Sequence, residues 1–215
     1  MKNLIKKLPF YRRYTTEQNK KYWAKRKGWE EYQNTADHPH RHFITHILKQ
    51  LNWISLMEIG CGSGPNLINI TKGIEGKQLG GVDINPEAIE LCQKTFKGGH
   101  FRVGSAENIL MTDKGTDLVL SDSFLMYIGP LKINRYIKEI ARVARNTVVL
   151  HEFHNKNWFR RQWLRVFSGR HCYSWKRLLE KNGFYDVQLI KMPVFEEDYE
   201  QDCRYLVLAK PPKIW

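Results

Sequence analysis

Cysteine is scarce and unpatterned in this chain of 215 residues: Cys61, Cys92, Cys172 and Cys203 lie 31, 80 and 31 positions apart. No CxxC pair or other metal-ligand spacing exists, which excludes zinc-ribbon and dithiol chemistry and a dense disulfide framework. A reducing, cytoplasmic compartment is the expectation. Long apolar runs are absent too. Nowhere do about 18 apolar residues follow one another, so no membrane-spanning helix is expected. Residues 1–14 interleave Leu4, Ile5, Leu8 and Phe10 with Lys2, Lys6, Lys7, Arg12 and Arg13, which breaks any secretory core. Internal repeats and low-complexity tracts are missing. Acidic residues are few, 22 against 35 Lys and Arg, and the net charge of +13 directs attention to an anionic partner such as nucleic acid, phospholipid headgroups or a phosphorylated substrate.

What is present organises into three parts. Residues 1–50 hold 12 Lys/Arg against 4 Asp/Glu and read as a basic helical extension or lid, broken at Pro39. Residues 51–215 alternate short apolar runs with helical stretches. Strands are expected over 54–59, 79–83, 100–103, 117–121, 147–153, 187–192 and 205–209. Pro86 and Pro130 each open a crossover helix, because a first turn tolerates a missing N–H. A further helix over 174–182 is stopped by Gly183. This alternation predicts an α/β fold: a doubly wound, mostly parallel sheet of seven strands. The last two strands are joined without room for a crossover helix, so one of them runs antiparallel. A basic aromatic insertion at about 154–177 interrupts the domain.

The strongest chemical signal is Glu58-Ile59-Gly60-Cys61-Gly62-Ser63-Gly64 at the first strand–helix junction. Glycines there let the backbone turn tightly and let a ligand approach a main chain whose amides face outward at a helix N-terminus. Asp83, 23 positions beyond Gly60, ends the next strand, where a carboxylate accepts ribose hydroxyl protons. A dinucleotide fingerprint places its last glycine where Pro65 stands, which weakens a pyrophosphate reading.

With Gly104-Ser105-Ala106-Glu107-Asn108 and Asp117-Leu-Val-Leu-Ser-Asp122 added, the pattern resembles the class I S-adenosylmethionine-dependent methyltransferases over roughly residues 40–190, a Rossmann-like family. The resemblance implies S-adenosylmethionine as cofactor. It assigns Glu58 to organising the loop, and Gly60, Cys61, Gly62, Gly64 and Asn66 to the loop around the cofactor. Asp83 and Ile84 fall to the ribose, Ser105, Ala106 and Glu107 to the adenine, and Ser121 to the end of the fourth strand. His38-Pro39-His40-Arg41, Gly64-Pro65-Asn66-Leu67 and Leu125-Met-Tyr127-Ile-Gly129-Pro130 resemble a bacterial and archaeal subgroup associated with glycan or small-molecule modification.

Methyl transfer is an in-line displacement that loses charge, so positioning, at about 7–11 kcal/mol, outweighs a general base, at roughly 3–5 kcal/mol. Tyr127, Glu152 and His154 are the candidate catalytic residues, with His38 and His40 as closing groups. For Glu152 and His154 the alternative is a hydrogen-bonded structural role. Arg41 either forks onto the cofactor's carboxylate or belongs to a solvated basic loop. No metal is expected, although Asp122, Glu152 and His154 could converge.

Residues 154–177 carry seven Lys/Arg and no acid, and Trp158, Phe159, Trp163, Val166 and Phe167 fall on one helical face. Three readings stay open: packing on the sheet or over the substrate, an anionic membrane surface shared with residues 1–14, or RNA. No RNP, KH or zinc-knuckle signature occurs, and the Asn-Pro-Pro-Tyr type motif is absent from Ser121–Phe124. The expected reaction is methylation of a hydroxyl or amine on a small-molecule, glycan or lipid-linked acceptor, in the cytoplasm or at the inner membrane surface. RNA methylation and a catalytically silent binding subunit are the alternatives.

Overall fold

The computed structural model describes residues 15–167, 170–193 and 204–213, with side chains through Leu164 in the first stretch. Residues 1–14, Cys203 and the side chains of Arg165, Val166 and Phe167 lie outside it. Helix α1 (Thr16–Lys25) starts at a capping box in which Thr15 and Gln18 satisfy each other's amides, and α2 (Trp29–Gln33) leads into a 3₁₀ turn (Asn34–Asp37). The helical run breaks at His38, whose backbone is extended, immediately before Pro39, as expected. Pro39 occupies the first turn of α3 (Pro39–Leu48), where its fixed φ suits a helix start and His38 caps the His40 amide.

The sheet then runs β1 (Ser55–Ile59), α4 (Pro65–Gly73), β2 (Gln78–Asp83), α5 (Pro86–Thr95), β3 (His100–Val103), β4 (Thr116–Asp122), a 3₁₀ turn (Leu125–Tyr127), α6 (Ile133–Val143) and β5 (Ala144–Phe153). After it come α7 (Trp158–Phe167), α8 (Trp175–Lys181), β6 (Tyr185–Lys191) and β7 (Arg204–Lys210). Strand order is β3-β2-β1-β4-β5-β7-β6. The first five strands pair parallel, and β7 alone runs antiparallel, between β5 and β6.

The period of two along buried strands divides the core. In β4, Val119 faces Ile137, Ile140, Val148 and Trp175 on one side, while Leu118 and Leu120 face Leu67, Ile70 and Ile89 on the other. Ile44 and Leu48 of α3 belong to that second cluster and are 1% and 0% exposed, so the line drawn at residue 50 does not separate α3 from the sheet. Every parallel strand ends on the same edge, where open α/β sheets bind ligands.

Candidate functional site

That edge carries a hollow of about 740 Å³, the open space at its mouth included. Its floor is the β1–α4 turn. Gly60, Gly62 and Gly64 take φ of 68°, 52° and 79°, the left-handed region that favours glycine. A Cβ on Gly60 would sit 2.6 Å from the Phe124 ring, and one on Gly62 would sit 2.8 Å from Trp29. The absent side chains therefore admit the protein's own aromatic rings, which border the hollow.

The amides of this turn do not face outward as expected. Gly60 and Cys61 both donate to the Val82 carbonyl (2.8 and 3.3 Å), Gly62 donates to Asp83 Oδ2 (3.0 Å) and Gly64 to the Cys61 carbonyl (2.9 Å). The polar group presented at the floor is thus the Asp83 carboxylate. It is fixed by Gly62 and by the Asn85 amide (2.9 Å), and burial raises its pKa against the pull of those donors.

Of the residues singled out in the sequence, Gly60, Gly62, Asp83, Ile84, Ser105, Ala106 and Tyr127 line the hollow. The remaining predicted residues stand behind its walls. Glu58 is 2% exposed beneath the turn. It accepts from Asn66 Nδ2 (2.6 Å), leaves its second oxygen without a partner, and is pushed up to about 8 by burial. Asn66 bridges Glu58, Asp122 and Arg41. The Cys61 thiol faces Gly81 and the Cys92 side, and a Cβ on Gly64 would meet Phe96. Glu107 accepts from Lys20 and Tyr136 (2.9 Å each), tying α1 to α6. Ser121 is fully buried and donates to Glu152.

Arg41 is neither a solvated loop residue nor a lining one. It is 3% exposed, with donors aimed at the Thr35 carbonyl and hydroxyl, Asn66, Tyr32 and Asp122. Glu152 caps the 3₁₀ turn. Its oxygens accept from the Ser121 hydroxyl and the amides of Phe124, Leu125 and Met126 (2.7–3.1 Å), which pins the 3₁₀ turn to β5. Burial pushes it up to about 7. His154 accepts from the Trp175 amide (3.1 Å), packs edge-on against Tyr205, and is lowered to about 4 by burial and the nearby Lys156 and Arg161. Glu152 and His154 thus serve the junction of β5 with its neighbours.

The acid–base cluster at the hollow is a different one. Asp122, at the end of β4, accepts from His151 Nδ1 (2.6 Å), His40 Nε2 (3.0 Å), Arg41 (3.1 Å) and Asn66 (3.0 Å). Burial works to raise its pKa, but His40 and His151 outweigh it and hold the carboxyl well below the usual range. His40 stacks on His151 at 5.2 Å, and burial lowers its own pKa. His40, Asp122 and His151 together have the donor types of a metal site. Arg41 on the same Asp122 oxygen as His40 supplies a cation there already, and the physical reading is a charged hydrogen-bond cluster.

The roof comes from α1 and α2. Thr16, Asn19, Lys20, Trp23, Arg26, Trp29 and Tyr32 line the hollow from above. The Arg26 guanidinium lies 5.0, 4.8 and 5.0 Å from the rings of Trp23, Trp29 and Tyr32, with no acidic partner among the described residues. The buried Trp23 Nε1–H has no acceptor among the described residues. All of these fall within residues 1–50, which the sequence marks only as a basic extension or lid.

A family model described as a methyltransferase domain matches residues 56–147. The phthiotriol/phenolphthiotriol dimycocerosates methyltransferase of Mycobacterium leprae is 28% identical over 117 residues, 51% of this chain and 43% of that protein. The chain thus spans under half the length of that relative. Among solved structures, the putative methyltransferase of Haloferax volcanii, in complex with the Trm112 methyltransferase activator, superposes with a TM-score of 0.63 at 18% identity, covering 85% of this chain and 98% of that one. The magnesium protoporphyrin IX methyltransferase of Synechocystis PCC 6803, with SAM bound, gives 0.56 at 16% identity, covering 83% and 79%.

Proposed function

We propose, because the chain carries a class I, Rossmann-like methyltransferase domain of the S-adenosylmethionine-dependent kind, that it transfers a methyl group to a hydroxyl or amine of an acceptor. The observation that carries this reading is the joint placement of Asp83 and the Gly60–Gly62 floor in one hollow with Ser105 and Ala106. The residues fit the cofactor. Asp83 offers carboxylate lone pairs to sugar hydroxyls, Trp23 an unsatisfied N–H, and Arg26 a guanidinium suited to an amino-acid carboxylate, the task the sequence had suggested for Arg41. When bound, S-adenosylmethionine supplies a methyl carbon made electrophilic by its sulfonium.

The protein's part is to aim the acceptor. Asp122, held ionised at the end of β4, already accepts from His151, His40, Arg41, Asn66 and Ser123, so it fixes those groups beside the cleft and orients the acceptor through them. A carboxylate with so low a pKa is a weak base, so its contribution is orientation. Tyr127, raised by burial and therefore neutral, is the second polar group on that wall.

Calorimetric titration with S-adenosylmethionine, followed by transfer of labelled methyl to extracted acceptors, tests the reading. Asp83→Ala is expected to weaken cofactor binding by about 1.5–3 kcal/mol, the scale of a hydrogen bond to a charged group. Unchanged affinity in that variant would remove Asp83 from the site, and no binding to the native chain would end the proposal.

A further inference from the structure

Helix α7 is oriented the opposite way from an ordinary surface helix. At roughly 100° per residue, Trp158, Phe159 and Trp163 share one arc and Leu164 lies nearly opposite. Leu164 is the buried residue, 4% exposed, packed with Met126, Phe153 and Cys172 beside Tyr127 of the cleft wall. Trp158, Phe159 and Trp163 are 56%, 76% and 54% exposed. Trp158, Phe159 and Trp163 therefore point into solvent, while Leu164 holds the helix to the cleft. Three large aromatics on one outward face form the kind of patch that marks an interaction surface.

Charge selects the occupant. From residue 154 to 177 there are seven Lys/Arg and no acid, and the whole chain carries +13. Lys156 just before α7 and Arg160 within it are exposed, as are Arg177 and Lys176 at the start of α8, the last paired to Glu180 (3.7 Å). Arg161 is tied instead to the Asn155 and Lys156 carbonyls. A second copy would oppose one cationic patch to another. Aromatics on the outward arc with exposed cations close in the chain match a helix lying in the headgroup region of an anionic bilayer. No described helix is long and apolar enough to cross a membrane, so contact would be made from one side.

We infer that α7 docks the protein on an anionic lipid surface, bringing the cleft wall at Tyr127 to an acceptor that resides there. The acceptor half of this inference rests on the methyl-transfer reading, whereas the docking half does not.

The full chain is to be sedimented with vesicles of phosphatidylcholine alone and with vesicles containing phosphatidylglycerol. Binding to the anionic vesicles, and not to the neutral ones, is expected. Replacing Trp158, Phe159 and Trp163 together by serine should lower the partition coefficient at least about tenfold. Lys156→Gln with Arg160→Gln should lower it roughly 25-fold, about fivefold per cation. Leu164 is left intact, and cofactor titration of each variant reports whether the cleft still folds. The docking idea is overturned if the native chain ignores anionic vesicles or the serine variant binds them equally. It is also overturned if the aromatic face proves to govern RNA binding or self-association instead. Vesicle binding without cofactor binding would leave the docking role standing and remove the methyl-transfer reading.

Discussion

Floor and roof of the same hollow are built by different means. The floor is local chemistry: a strand ends, three left-handed glycines turn the chain, and Asp83, one strand over, braces the turn through Gly62. The roof is tertiary: Trp23, Arg26, Trp29 and Tyr32 arrive from helices that precede the sheet and meet the floor only because the chain folds back over it. A floor made of backbone geometry tolerates almost no substitution, whereas a roof made of stacked side chains should degrade gradually.

The sharpest break of that contrast is Gly60→Ala. The added methyl must share space with Phe124 at 2.6 Å, at a φ of 68° that alanine rarely adopts. Overpacking and left-handed strain together should cost about 2–5 kcal/mol, read as a lowered denaturation midpoint and lost cofactor binding. Wild-type stability would mean that the turn yields and that the floor is no more rigid than the roof.

The support beneath the floor gives the next largest effect. Glu58, pushed up to about 8 by burial, stays protonated in the folded protein at a pH where the unfolded chain has ionised it. Its folded pKa lies above the ordinary 4.5, so stability is greatest at acid pH and falls as pH rises from about 4.5 towards 8. Glu58→Gln keeps the acceptor for Asn66 and removes the titration. The variant should match the native protein near pH 5 and exceed it near pH 8 by on the order of 2–4 kcal/mol. A difference that does not grow between those pH values would show Glu58 to be ionised in place, and the floor to rest on a charge.

The same division explains what the sequence discloses. Glycines at a strand end and an acid at the next strand's end are near-local demands of backbone geometry, so Gly60, Gly62 and Asp83 are legible as a spacing, and Ser105 and Ala106 by family resemblance. Alternation and proline punctuation likewise reveal seven strands and the antiparallel partner. The roles of Glu152 and Arg41 stay open in the sequence because their partners lie 26–31 and 81 positions away (Ser121 and the 124–126 amides; Asp122), and nothing in a spacing says whether a carboxylate faces a cleft or caps a turn. His151 and His40 were visible as residues, but their convergence on Asp122 depends on β5 lying beside β4 and α3 packing on the sheet. The amides of the turn illustrate a subtler failure. Glycine predicts freedom of approach, and the approach is made by Phe124 and Trp29.

Arg26→Ala probes the roof and should have the smallest effect. The guanidinium contributes three ring contacts near 5 Å, in a partly open position where each cation–π contact is worth about 0.5–1 kcal/mol and not fully additively. Stability should fall by only about 1 kcal/mol, because Trp23, Trp29 and Tyr32 keep their mutual packing. Cofactor affinity should fall roughly fivefold to tenfold if Arg26 meets the carboxylate, with Arg26→Lys recovering part of it as a charge without the fork. An affinity unchanged by alanine would leave Arg26 a packing residue and assign the cofactor's carboxylate to another donor. A collapse as deep as that expected for Gly60→Ala would show the roof to be as indispensable as the floor, and the contrast between them would fail.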